Sequence, residues 1–183
     1  MLERLIIAGF GGQGLMFVGK LLAHLVMEEG RHVTYFPSYG AEVRGGTANC
    51  HIIISTEEIH SPVAEVADSL IIMNQPSYGK FIARLDPQGI AFLNSSLVTP
   101  GEPSPGRQLL IPATDIAQEL SDPRVANVVM LGAYNGVRRL LADDRIHGYL
   151  RKIMVGAKQE FLDMNLEAYE RGRELALREF SVS

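Results

Sequence analysis

An α/β fold, with a mostly parallel sheet between helical layers and further helices at the C-terminal end, is predicted by three features of the sequence. An apolar run near the N-terminus ends in closely spaced glycines. An amphipathic helical period begins directly after them. Apolar segments as far as Ile111 have strand length, whereas the chain beyond Pro123 carries a helical period throughout.

Leu5 to Ala8 are apolar without alternation, as in a strand covered on both faces. From Leu15 the period changes: Leu15, Val18, Leu21, Leu22, Leu25 and Val26 form one helical stripe that stops near Glu28, Glu29 and Gly30. His32 to Phe36 then reads as a second strand, which gives a strand, helix and strand unit of the length a parallel crossover needs. Pro37 to Gly46 reads as a long loop, and Thr47 to Ser55 as the strand that follows it. Ser69 to Met73, Gly89 to Leu93 and Gln108 to Ile111 are further strand candidates, with helices near Ser77 to Leu85 and Thr114 to Leu120. Thr99 to Gly106, rich in proline and glycine, reads as a surface turn.

Val125 to Leu141 is apolar on nearly every side, and Ile146 to about Glu179 reads as helical, with Tyr149, Leu150, Ile153, Met154, Ala157 and Phe161 on one stripe. Gly132 and Gly136 lie about one helical turn apart, so a second backbone could approach there; a buried core helix accounts for the same residues. No internal repeat is visible, and residues 1–183 read as a single domain.

Composition narrows the function. With 46% hydrophobic and 21% charged residues the chain can bury a core, and a net charge of -4 spread over mixed charges gives no footprint for a nucleic acid. The single cysteine, Cys50, excludes an intramolecular disulfide and a four-thiolate cluster or zinc site built by this chain alone. The N-terminus lacks the pattern of a signal peptide and no apolar run reaches membrane-spanning length, so the expected location is the cytoplasm. His24, His32, His51, His60 and His147 are dispersed and read as core or surface residues, and Cys50 as a small buried hydrophobe.

Gly9, Gly11 and Gly14 satisfy G-x-G-x-x-G where that pattern has meaning, after an apolar strand and at a helix start, which makes the fold Rossmann-like. Glycines there let a phosphate lie against free backbone N–H groups at the positive end of the helix, and Gln13 adds a side-chain amide. An NAD site calls for a carboxylate at the end of the second strand, but that place reads Tyr35-Phe36-Pro37-Ser38, with neither an acid nor an arginine. A nicotinamide cofactor is therefore disfavoured. A tight turn without a ligand is the architectural alternative. Asn74, Gln75 and Pro76, after a strand end, are secondary site candidates.

The loop Ser38-Tyr39-Gly40-Ala41-Glu42-Val43-Arg44-Gly45-Gly46-Thr47-Ala48-Asn49 combines an acid, a base, a phenol and glycines, as site-lining segments do. Arg44 could pair with a carboxylate or phosphate, or internally with Glu42. Taken together, Gly9-Phe10-Gly11-Gly12-Gln13-Gly14, this loop, and the tail Asn165 to Gly172 resemble the gamma subunit of 2-oxoacid:ferredoxin oxidoreductases along nearly the whole chain. The Ser-Tyr-Gly form of the loop looks more like the 2-oxoglutarate branch than the pyruvate branch.

The resemblance implies a subunit of an enzyme that decarboxylates a 2-oxoacid, reduces ferredoxin and leaves an acyl-coenzyme A thioester. It also implies that the chain is inactive alone. Thiamine diphosphate, magnesium and iron–sulfur clusters are expected on partner subunits, and coenzyme A is expected near this domain. On that reading Gly11, Gly12, Gln13 and Gly14 hold phosphate, and Ser38, Tyr39, Glu42, Arg44, Gly45, Gly46 and Asn49 line the ligand or a subunit contact. No residue is assigned to catalysis or to a metal. An independent nucleotide-binding enzyme and a purely structural interaction module are the competing readings.

Overall fold

The computed structural model describes residues 1–38, 47–101, 103–156 and 159–182. Among the described residues six strands form one sheet: β1 (Leu2–Gly9), β2 (His32–Ser38), β3 (Ala48–Ser55), β4 (Ala67–Ile72), β5 (Leu85–Asn94) and β6 (Arg107–Ile111), in the spatial order β2-β3-β1-β4-β5-β6. The described helices are α1 (Leu15–Glu28), α2 (Gln75–Phe81), α3 (Ala113–Glu119), α4 (Ala126–Arg138), α5 (Asp143–Ile153) and α6 (Gln159–Val182).

The mostly parallel sheet is present, with one inversion. β1 runs parallel to β4, β4 to β5 and β5 to β6, whereas β3 runs antiparallel to both β1 and β2. The unit β1-α1-β2 is thus a parallel crossover, as its length predicts, and its two strands are not neighbours. The crossover leaves a gap one strand wide, and β3 turns back into it. A strand that returns through a short connection pairs antiparallel, because a parallel return needs a dozen or more residues.

α1 keeps the boundaries that its apolar stripe predicts, and Gly30 stops it with a positive φ of 75°. The helices divide unequally between the faces of the sheet. Leu5, Ile7, Cys50, Ile52, Ile71 and Phe92 point into a core shared with α1, α3, α4, α5 and α6. The opposite face carries Ile6, Ala8, Ile53, Leu70, Ile72 and Leu93, and it is covered by α2 through Tyr78 and Phe81, by Ile82 of the short 3-10 turn that follows, and by Ala64 and Val98 from loops. The second helical layer is therefore thin.

Gly132 lies where α4 meets α6. A Cβ added there would stand 2.0 Å from the Tyr169 carbonyl oxygen, and one added at Gly172 would stand 1.9 Å from the carbonyl oxygen of Val129. The second backbone allowed for at Gly132 is α6 of the same chain. The segment expected to be one helix from Ile146 onward is divided: α5 ends at Ile153, and Gly156 adopts a left-handed φ of 86° that no α-helix continues through. The single stripe fails accordingly, because Ile153 is 41% exposed while Leu150 is fully buried; Ala157 lies outside the described residues.

On the thin face the loop 56–66 is held down by a strand residue. His51, 5% exposed, accepts the Ala64 N–H at Nδ1, 3.1 Å away. Burial, with the nearby Arg84 charge adding to it, pushes the His51 imidazolium down to about 4 from 6.5. The neutral ring is the native form, so its stabilisation is complete above pH 6.5 and is lost as the pH falls toward 4. We expect wild type to lose up to about 3 kcal/mol more than His51→Asn over that interval, read from urea midpoints at matched pH values. Parallel pH profiles for the two proteins would refute it.

Candidate functional site

The glycine turn closes β1 and opens α1 by backbone conformations that favour glycine. Gly12 has φ 91° and Gly14 φ 74°. The Gln13 side chain is bound within the turn: Oε1 accepts the Phe10 N–H at 2.6 Å, and Nε2 donates to the Met73 carbonyl oxygen at 3.4 Å. The amide that the sequence suggested as a ligand donor is thus the tie between the turn and the end of β4. Gly14 is fixed from the other side, since Asn127 of α4 donates from Nδ2 to its carbonyl oxygen at 3.2 Å and a Cβ at Gly14 would strike that amide.

The start of α1 has no side-chain cap and no acidic residue in its first turn. Among the described residues, the N–H groups of Gly11, Gly12 and Gly14 find no acceptor. Such a helix start favours an anion, since the unpaired donors and the helix dipole act together. The topology puts it beside a crevice. After β1 the chain passes to the face that α1 covers, and after β4 to the face that α2 covers, so the connections diverge between two adjacent parallel strands. Open α/β sheets hold ligands at such points.

Ser38 and Asn49 belong to the same edge. Ser38 pairs with Asn49, and Asn49 with Ala8, which places the three in one row across β2, β3 and β1 next to the turn. Asn49 is 4% exposed. The neighbour of β1 on this side is β3 and not β2, and the end of β3 beside the turn carries Ala48 and Asn49, with no acid. Tyr39, Glu42, Arg44, Gly45 and Gly46 lie outside the described residues, between Ser38 and Thr47.

Sequence reasoning missed Lys80, whose Nζ reaches Thr47 Oγ1 at 3.4 Å from α2, and Asn127. No local pattern marks either, since both act across distant elements. Of the secondary candidates, Asn74 caps α2 by accepting the Ser77 N–H at 2.9 Å, and Gln75 exchanges two hydrogen bonds with the backbone of Thr99. Cys50 is fully buried and its thiol is pushed up to about 12 by that burial, the state of a packed side chain and not of a nucleophile. No described helix is long and apolar enough to cross a membrane.

The model of the family described as pyruvate ferredoxin/flavodoxin oxidoreductase matches residues 4–175. The chain belongs to that family. The ketoisovalerate oxidoreductase subunit VorA of Methanothermobacter thermautotrophicus is 38% identical over 175 residues, which are 94% of this chain but 36% of VorA. The gamma subunit of a keto/oxoacid ferredoxin oxidoreductase from Geobacter sulfurreducens superimposes with a TM-score of 0.80 at 25% identity, covering 96% of this chain and 99% of that one. A 2-oxoglutarate:ferredoxin oxidoreductase from Magnetococcus marinus, with 2-oxoglutarate, coenzyme A and succinyl-CoA bound, shares the fold at TM-score 0.88 and 24% identity, over 97% of this chain and 31% of that one.

Proposed function

We propose that this chain is the gamma subunit of a 2-oxoacid:ferredoxin oxidoreductase, and that its crevice between β1 and β4 takes phosphate of coenzyme A. The observation that carries the site is the uncapped start of α1 with unpaired N–H groups at Gly11, Gly12 and Gly14. A pyrophosphate or ribose phosphate suits those donors, and Ser38 and Asn49 lie on the same edge of the sheet. Thiamine diphosphate, magnesium and iron–sulfur clusters are assigned to partner subunits, and electrons leave to ferredoxin through the complex.

The Ser38-Tyr39-Gly40 form of the loop favours 2-oxoglutarate as substrate. The 38% identity to a ketoisovalerate oxidoreductase subunit supports a branched 2-oxoacid as the second reading; the ratio of kcat/KM for the two acids in the purified complex decides between them.

Gly12→Val is expected to weaken coenzyme A binding at least tenfold in calorimetric titrations of the purified complex. Gly30→Val is the control: it also forces a side chain onto a positive φ with open space around it, at the far end of α1. Unchanged coenzyme A affinity in Gly12→Val would remove the phosphate role, and equal losses in both variants would assign the effect to strain.

A further inference from the structure

The thin side of the sheet is unevenly covered, and its apolar residues reach solvent. Leu2 of β1 shares its side of the sheet with Ile6 and Ala8, and Phe36 of β2 pairs with His51, on the side of Ile53. Leu2 is 57% exposed and Phe36 45%, and the loop laid over the same face adds Val63 at 38% and Val66 at 41%. Between the loop and the strands lies a cavity of about 500 Å³, lined in part by Leu2, Ile53, Ile59, Val63 and Val66. Glu58 and Glu65 also line it, and among the described residues neither side-chain carboxylate has a partner, whereas Arg4, which lines it too, is paired with Asp68. Neighbouring exposed apolar groups around a concavity with a charged rim are the form of a protein-binding surface.

The relatives indicate what such a surface meets. The same unit accounts for 36% of VorA and for 99% of the Geobacter gamma chain, so it occurs both within a longer polypeptide and as nearly the whole of one. Where it is not covalently joined to the rest, a surface of its own must make the attachment. We infer that the face bearing Leu2, Phe36, Val63 and Val66 docks the polypeptide that corresponds to the remainder of VorA, which meets it with apolar side chains flanked by lysine or arginine. The inference rests on the subunit reading given above and adds the face on which assembly occurs.

The test uses the full chain, tagged and produced in its native cell with its complex. Val63→Asp and Val66→Asp alter exposed positions and should leave Tm nearly unchanged, because substitutions on open surface usually change stability little. Together they should lower the recovered partner, identified by mass spectrometry as homologous to the remainder of VorA, at least tenfold. Val155→Asp, 85% exposed beyond α5, should retain it. Full recovery with the double variant overturns the inference, as does loss of a self-associated form with the partner retained. Absence of the partner from the wild-type preparation overturns the subunit reading itself.

Discussion

Gly172→Ala is expected to cost about 3 kcal/mol or more, at or beyond the upper end of overpacked core substitutions, and to lower Tm by roughly 10 °C for a chain of this size. The added methyl would meet the Val129 carbonyl oxygen at 1.9 Å, and Gly132→Ala would meet that of Tyr169 at 2.0 Å. Backbone atoms cannot rotate away as a side chain can, so α4 and α6 would have to separate along the contact that closes the larger core. Gly79 and Gly148 provide the contrast. Both are in helices with nothing within 4 Å of an added Cβ, and alanine at either should stabilise by about 0.5–1 kcal/mol. Differential scanning calorimetry of the four variants checks the pattern; tolerance of alanine at Gly172 would show that the two helices are not locked at this distance.

Glu3→Leu is expected to destabilise the protein by about 3–5 kcal/mol, because it breaks a buried ion pair by removing one partner. Glu3 is 3% exposed; Oε1 accepts from Tyr134 Oη at 3.1 Å and from Arg138 Nε at 3.2 Å, and Oε2 accepts from Arg138 Nη2. Removal of the carboxylate leaves a half-buried guanidinium and a fully buried phenol without their acceptor. In the double variant Glu3→Leu/Arg138→Met most of the loss should return, since the cost lies in the uncompensated charge. A double variant less stable than Glu3→Leu in urea titrations would contradict this account.

The first helix could be read from the sequence because one apolar stripe, one glycine turn before it and one glycine after it all agree. The direction of β3 could not. Its eight residues are all buried, and a strand covered on both faces has no polar side from which to infer its neighbours. The same limit hid the break in the C-terminal helices, where apolar residues continue through Ile153 and Val155 although the backbone turns at Gly156. At the candidate site, the turn from Gly11 to Gly14 was legible as a strand-to-helix connection, but the ties made by Gln13 and Asn127 depend on residues 60 and 113 positions away. Such contacts follow from topology, which local patterns do not encode.

The inverted strand also determines how freely the chain that joins β2 to β3 can change in length. Because Ser38 and Asn49 face each other on adjacent strands, the two ends of the chain between them are held at neighbouring points. Doubling the length of such a closed segment costs only about 0.6 kcal/mol in chain entropy. The link between Ser38 and Thr47 can therefore change in length at little cost to the strand pairing that holds its two ends.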